Sequence, residues 1–417
     1  MLFNVKNLGL IDEAEIKLDG ITVITGENNV GKSTIGRMLY CVNNVFLRDS
    51  IEEMRIHRIN NFIHRAFDKE INSINIYGTI QETDIVRKIV SESTDYLSGK
   101  ISMVNSFKVI LQEYSIERAE LIFQTLEKKI LEFLKQDERK MVEKLLKFAI
   151  ATNFPKSVYN VYDGCKITKI KLKMKNLENY VEFNLVEDNV DVQYQNIVFE
   201  EAIYVENPNV VQSALKKYIE GQTFDSQQRL LQLLISDSEL HFLDKEDILL
   251  EIEAVLKKIS AHAPGKLVKD NPLTNKLVYE EGDHRFDLIN VSSGIKTFAI
   301  LKKLLMDGKL KRGGMLILDE PEIHMHPDWQ LVFAEILVLL QKQFNLTILI
   351  NTHSTFFLMA LEDYSKTYKI DDNCHYYLVE RKDNHSTCTD CTDDINEIYR
   401  HFTKPYVTLE RLRYNNE

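Results

Sequence analysis

Nine residues, Gly26, Glu27, Asn28, Asn29, Val30, Gly31, Lys32, Ser33 and Thr34, limit what this chain can fold into more than any other stretch. They meet the pattern G-x-x-x-x-G-K-[ST] at every fixed position, with Gly26, Gly31, Lys32 and Ser33 in place. Ile21 to Thr25 reads as a buried strand running into the loop, and Ile35, Met38, Leu39, Val42 and Phe46 recur at helical spacing after it. Glycines let the backbone turn so that consecutive N–H groups point at phosphate oxygens, and the following helix adds its positive N-terminal end. Lys32 is then expected to reach the β- and γ-phosphates, and the Ser33 hydroxyl to complete a Mg²⁺ shell. The stretch is expected to be a nucleotide site.

Three later segments supply matching chemistry. Met315 to Glu320 is an apolar run ending in two carboxylates, Asp319 and Glu320. It reads as a strand buried on both faces, whose C-terminal end is where ligands bind in α/β sheets. Asp319 is expected to hold Mg²⁺, which prefers oxygen ligands, and Glu320 to polarise the attacking water as general base. Ser292, Ser293 and Gly294 open a helical run that ends at Gly308, making a second anion site at a helix start. LTILI forms another apolar strand, followed by Asn351, Thr352, His353 and Ser354. His353, just past that strand end, is expected to hydrogen-bond the γ-phosphate or the lytic water.

At 417 residues the chain is long enough for two or three structural units. Its 44% apolar and 28% charged content is that of a soluble globular protein. No run of about 18 uncharged apolar residues argues for a membrane span, and MLFNVKNLGL at the start lacks the features of an export signal. Five scattered cysteines point to a reducing compartment, the cytoplasm. The net charge of -11 argues against a basic coat for nucleic acid and leaves a local basic groove as the route to it. Arg55, His57, Arg58, His64 and Arg65 form one basic stretch. In the other, beginning at Lys166, Lys169, Lys171, Lys173 and Lys175 alternate with apolar residues and so share one strand face. That face reads first as solvated, and second as a contact for nucleic acid or a partner.

Along the chain, residues 2–5 and 14–18 read as strands, with Gly9 and Asp19-Gly20 as turns. The helix after the phosphate loop runs to about Leu47, residues 51–69 read as helical, and 74–80 as a strand. From Asp84 to Ile150 the pattern is helical without proline. As an antiparallel pair, each helix of such an insert would reach only about 45 Å. ITKIKLKM, YVEFNLV and EAIYVE then predict an antiparallel sheet beside the nucleotide core, and residues 208–259 a helical region. His262 to Pro272 reads as a connection and KLVYEE as a strand. The expected divisions are 1–81 (first part of the core), 82–155 (helical insert), 156–206 (β lobe), 207–272 (helical subdomain) and 273–417 (second part of the core).

The order of phosphate loop, Ser-Ser-Gly, acidic strand and strand-end histidine resembles the ABC-type ATPase heads, with their Walker A loop, signature, Walker B strand and switch histidine. Within that class the chain resembles the OLD/RecF-like branch: LILDEPEIHMHP and LINTHST are close to its DEPE-x-x-LHP and THS segments, and SSG stands where transporters carry LSGGQ. The resemblance covers residues 2–40 and 287–355. It implies an α/β fold, an ABC-ATPase-like P-loop core with an antiparallel β lobe and helical insertions, that hydrolyses ATP with Mg²⁺. It also implies a homodimer or higher homo-oligomer in which Ser292, Ser293 and Gly294 of one head cover the γ-phosphate on the other. Glu206, Asn207 and Gln212 all stand as candidates for the glutamine-loop position, and Asn7 or Lys6 for the adenine contact. OLD nucleases add a C-terminal Toprim domain, for which too few residues follow His353, and Asp371-Asp372 and Asp393-Asp394 lack a partner glutamate on a strand pattern. The implied role is an ATPase subunit of an anti-phage or toxin-linked system whose nuclease or toxin effector is a separate protein. The alternatives are a DNA repair ATPase of RecF type and, last, a transporter's nucleotide subunit.

Two further groups read as structural. Cys388 and Cys391, with Cys374 and His385 nearby, have zinc-like spacing but form a single pair in a hairpin-like stretch. His324 and His326 precede Pro327, which suits the first turn of a helix.

Overall fold

The computed structural model describes residues 1–47, 119–213, 223–236, 242–271 and 275–403, apart from positions 156, 163, 176, 177 and 188, together with 52, 55, 56 and 59. The expected helix over 51–69, strand over 74–80 and helical stretch over 84–118 fall largely outside the described residues, as does the first basic stretch except Arg55.

The fold is α/β, built on a sheet of eleven strands. Its strands are β1 (Leu2–Leu8), β2 (Ile11–Lys17), β3 (Ile21–Gly26), β4 (Ile167–Lys173), β5 (Tyr180–Val186), β6 (Asn189–Gln195), β7 (Ala202–Val205), β11 (Met315–Asp319), β12 (Thr347–Thr352), β13 (Cys374–Lys382) and β14 (His385–Asp390). They lie in the order β6-β5-β4-β1-β2-β14-β13-β3-β12-β11-β7. A three-stranded sheet holds β8 (Lys266–Lys269), β9 (Leu277–Glu281) and β10 (His284–Asp287). The described helices are α1 (Lys32–Val45), α2 (Ala119–Leu134), α3 (Glu138–Asn153), α4 (Ser226–Ile235), α5 (Phe242–His262), α6 (Ser293–Met306), α7 (Pro327–Phe344) and α8 (Thr355–Tyr368).

The large sheet has two characters. From β13 through β3, β12 and β11 to β7 all neighbours run parallel. β3, β7, β11 and β12 are almost wholly buried, which is why they read as apolar runs. From β2 through β1, β4 and β5 to β6 the pairing is antiparallel, and β4 and β5 alternate buried and outward residues. EAIYVE was expected in the antiparallel part, but β7 pairs in parallel with β11, as its fully buried face on both sides demands. β6, β8, β10 and β13 lie in stretches that the sequence does not mark as strands. β6 is polar at most outward positions, and β8 lies inside the expected connection after His262.

Register explains why distant segments meet. Thr25 of β3 is level with Thr352 of β12, Asp319 of β11 with Asn351 of β12, and Val205 of β7 with Leu318 of β11. The phosphate loop, acidic pair, histidine turn and Glu206 therefore leave the sheet at one edge. Phe298 of α6, Phe333 of α7 and Phe357 of α8 lie under it, with ring centroids 5.3 and 6.2 Å apart. Each such pair contributes about 1 kcal/mol beyond area burial.

The chain divides into a unit of residues 1–47, 146–219 and 223–417 and a second of 48–145 and 220–222. In the second, Ile130, Phe133 and Leu134 are buried on α2, and Met141, Val142 and Leu145 on α3, at the helical spacing of one apolar face. No helix among the described residues is long and apolar enough to cross a membrane.

Candidate functional site

The phosphate loop leaves β3 through backbone that only glycine adopts readily. Gly26 has φ +145°, and a Cβ there would lie 2.2 Å from the Val379 carbonyl oxygen of the neighbouring strand. Gly31 ends the loop at φ +108° as the N-cap of α1. No side chain caps that helix and no acidic residue occupies its first turn, so its leading N–H groups keep their positive end for an anion. Val30 and Lys32 are buried, Gly31, Ser33 and Thr34 half-buried, and Glu27, Asn28 and Asn29 exposed.

Lys32 lies 4% exposed and donates from Nζ to the carbonyl oxygens of Gly26 at 2.9 Å and Glu27 at 2.7 Å. Burial lowers its pKa, opposed by Glu320, Asp319, Glu322 and Glu27 around it. Its Nζ is 4.0 Å from Oε1 of Glu320, and that same oxygen is 3.2 Å from Nδ1 of His353. Glu320 holds φ +48°, in the left-handed region, with its N–H donating to the Asn351 carbonyl at 2.8 Å. The β12 strand therefore fixes the backbone from which the carboxylate turns toward lysine and histidine.

Asp319 is oriented by two neighbours. Asn351 donates from Nδ2 to Oδ1 at 3.0 Å, and the Tyr204 hydroxyl donates to Oδ2 at 3.2 Å. Burial, reinforced by Asp319, raises the Tyr204 pKa well above its usual value and keeps the donor protonated. A carboxylate has about four acceptor positions, so both oxygens retain capacity for a cation. With Ser33 on the loop, this all-oxygen donor set fits Mg²⁺, and the uncapped helix start fits the phosphates. Beneath the histidine, Glu322 is 3% exposed and accepts a hydrogen bond from Thr352. Burial raises its pKa.

A cavity of about 420 Å³ opens over the loop, lined by Asn29 to Thr34, Arg37 and Glu320 on one side and by Gly9, Leu10 and Ser157 with Tyr159 to Val161 on the other. Ser292, Ser293 and Gly294 are not among the residues lining it. They lie at the start of α6, where Ser292 is the N-cap, accepting from the Ile295 N–H, and Gly294 packs near Trp329 and Met325.

The open assignments separate by geometry. Glu206 pairs with Arg37 of α1, Asn207 accepts from the Asn209 N–H at 2.9 Å, and Gln212 reaches Asn209 at 3.3 Å and the Leu288 carbonyl at 3.4 Å. Glu206 alone follows directly from the strand beside Asp319. Asn7 is buried with its amide occupied: Nδ2 donates to the Cys165 and Ile167 carbonyls and Oδ1 accepts from the Asn160 N–H. It braces the cavity wall, while Lys6 is 3.5 Å from Glu13. Of the outward lysines, Lys171 pairs with Glu182 and Lys175 with Asp19, so acids offset this face in part. Burial lifts the Cys388 thiol to about 12 and the Cys391 thiol to about 11, and no group of three or more metal-ligating side chains occurs among the described residues. His326 is the N-cap of α7, with Pro327 at its start. Tyr204 and Arg37 carried no local signal in the sequence, because each acts on a residue far away along the chain, whereas Asn351 and Glu322 stand inside the LINTHST and LILDEPEIHMHP segments without a role assigned to them there.

The profile of the family described as "AAA domain, putative AbiEii toxin, Type IV TA system" matches residues 21–360, spanning the phosphate loop, signature, acidic strand and histidine turn. The chain belongs to this family. It therefore carries an AAA-type ATPase domain, and the site just described lies within it. No curated protein matches the chain in sequence. Among solved structures it is similar to an SMC head bound to the C-winged helix domain of ScpA, at 9% identity and TM-score 0.46 over 93% of this chain and 96% of that one. It is also similar to the SMC head domain from Thermotoga maritima, at 11% identity and TM-score 0.39 over 93% and 97%.

Proposed function

We propose that this AAA-domain protein hydrolyses ATP to ADP and phosphate in a two-fold dimer, and that the cycle controls a separate effector in a toxin-linked or anti-phage system. The observation that carries the reading is one carboxylate oxygen: Glu320 Oε1 lies within 4.0 Å of Lys32 Nζ and 3.2 Å of His353 Nδ1. A base, a cation and a switch from three distant segments converge where a γ-phosphate on the loop would end.

Lys32 leaves its carbonyl partners for the β- and γ-phosphate oxygens, where a charge-assisted hydrogen bond is stronger. Glu320 orients a water for in-line attack and takes its proton. His353 steadies the carboxylate and the γ-phosphate. Ser33 and Asp319 would hold Mg²⁺, which would supply charge neutralisation to the bound triphosphate. Gly9, Leu10 and Tyr159 line the part of the cavity left for the rest of the nucleotide. Ser292, Ser293 and Gly294 cover the γ-phosphate of a second copy, which accords with their position outside their own cavity. Apolar side chains exposed beside these segments, Ile289 at 72%, Phe356 at 41% and Met359 at 50%, give such a pairing something to bury. The toxin named in the family's description supports the toxin-linked role.

The test is the size of Glu320→Gln with Mg-ATP, followed by light scattering. Doubling of mass with ATP, and none with ADP, is the expected result; a monomer under both conditions ends the dimer model.

A further inference from the structure

Lys296 is out of place on α6. It follows Ser293 by one turn, is 2% exposed, and donates from Nζ to Oδ1 of Asn209 at 2.9 Å. A buried ammonium held by a neutral amide costs free energy that an aliphatic side chain would not. The amide it holds touches the signature. Asn209 Nδ2 is 3.4 Å from the Ser293 hydroxyl, and the same hydroxyl is 3.5 Å from Oδ1. Gln212 adds a third contact to Oδ1 at 3.3 Å.

The post that carries Asn209 is itself fixed. It belongs to the 3-10 turn Pro208–Ser213, which follows β7 directly. Its N–H donates to Asn207, and Glu206 before it pairs with Arg37 of the phosphate-loop helix. The joint is thus short at Lys296 and longer at Ser293. A contact of 3.4–3.5 Å shortens when the hydroxyl is drawn to a ligand, as catalytic hydrogen bonds often do on binding.

We propose that Asn209 is a positioning residue: clamped by Lys296, it sets the Ser293 hydroxyl, and with it the Ser292–Gly294 turn, for the γ-phosphate bound to a second copy of the chain. This rests on the dimer reading above. It assigns to Asn209 an effect on the partner's turnover, and none on nucleotide binding to its own loop.

The experiment uses the full chain and mixed variants. Asn209→Ala is expected to bind a fluorescent ATP analogue within about twofold of wild type while kcat falls tenfold or more, since small misplacements cost rate heavily. Asn209→Asp keeps an acceptor for Lys296 and is expected to restore at least half of the lost rate. An equimolar mixture of Asn209→Ala with Lys32→Ala should regain about a quarter of wild-type activity. About half of the dimers are then mixed, and each has one site with an intact loop facing an intact signature. Lys32→Ala mixed with Gly294→Asp is the control for the sandwich. If the control recovers and the Asn209→Ala mixture does not, Asn209 acts on its own site and the inference is overturned while the dimer reading stands. If neither recovers, both fall. Wild-type kcat in Asn209→Ala also overturns it. Should Asn209→Ala not fold, Lys296→Met replaces it in the same mixtures, with the same outcomes.

Discussion

Nδ1 of His353 stands 3.2 Å from Oε1 of Glu320, each just past the end of one of two adjacent parallel strands. The pairing follows from register: Asp319 is level with Asn351, so Glu320, one residue further, and His353, two residues further, both emerge at the same end of the sheet. The carboxylate is turned toward the histidine by backbone in the left-handed region and a hydrogen bond to the Asn351 carbonyl.

Replacing Glu320 by Gln keeps the shape and removes the base. Turnover is expected to fall 10²- to 10⁴-fold, the usual worth of a general base. ATP should stay bound, so that rapid filtration after mixing recovers unhydrolysed nucleotide.

Lys32→Ala removes the buried ammonium from the loop. Affinity for ATP is expected to drop about tenfold or more, in line with loss of a charge-assisted hydrogen bond. Titration with a fluorescent analogue reads this directly, and a Kd unchanged from wild type would remove Lys32 from the phosphate site.

Asn351→Ala leaves Asp319 without one of its two orienting donors. The Mg²⁺ concentration for half-maximal activity should rise 10- to 100-fold, as for other outer partners of metal ligands. Saturating Mg²⁺ should restore most of the rate; failure to do so would place Asn351 elsewhere in the cycle.

Glu322 has a folded-state pKa raised by burial above its ordinary 4.5. The folded chain therefore holds this proton over a range where the unfolded chain has lost it, and stability declines as pH climbs from 4.5 through the raised value. Glu322→Gln abolishes that decline. Its Tm should gain on wild type by about 2 °C as pH is raised from 4 to 8. Parallel Tm curves for the two proteins would contradict the buried-acid account.

What the sequence marks is local. The phosphate loop, the acidic pair, Ser292 to Gly294 and His353 each sit in a short segment whose residue types and flanking strand or helix identify it. Partners contributed by another strand were not legible: Tyr204 and Asn351 look like ordinary strand residues until pairing sets them beside Asp319. Asn7 and Lys6 stand as open candidates for the adenine contact from their place near the first strand, and the Asn7 amide is engaged with the backbone at Cys165 and Ile167. β6 was missed because its polar outward residues give little contrast with a loop. β7 was recognised as a strand, but its parallel partner could be known only from the sheet.

The position of β14 has a consequence for biosynthesis. It sits between β2 and β13, so the N-terminal antiparallel strands meet the parallel core only through a hairpin made of residues 374–390. β3, which leads into the phosphate loop, likewise lacks one of its two neighbours until β13 arrives. A nascent polypeptide still short of that hairpin has an open seam beside the triphosphate cradle. A product terminated before residue 374 therefore lacks the strand that flanks β3 on this side, next to the phosphate loop.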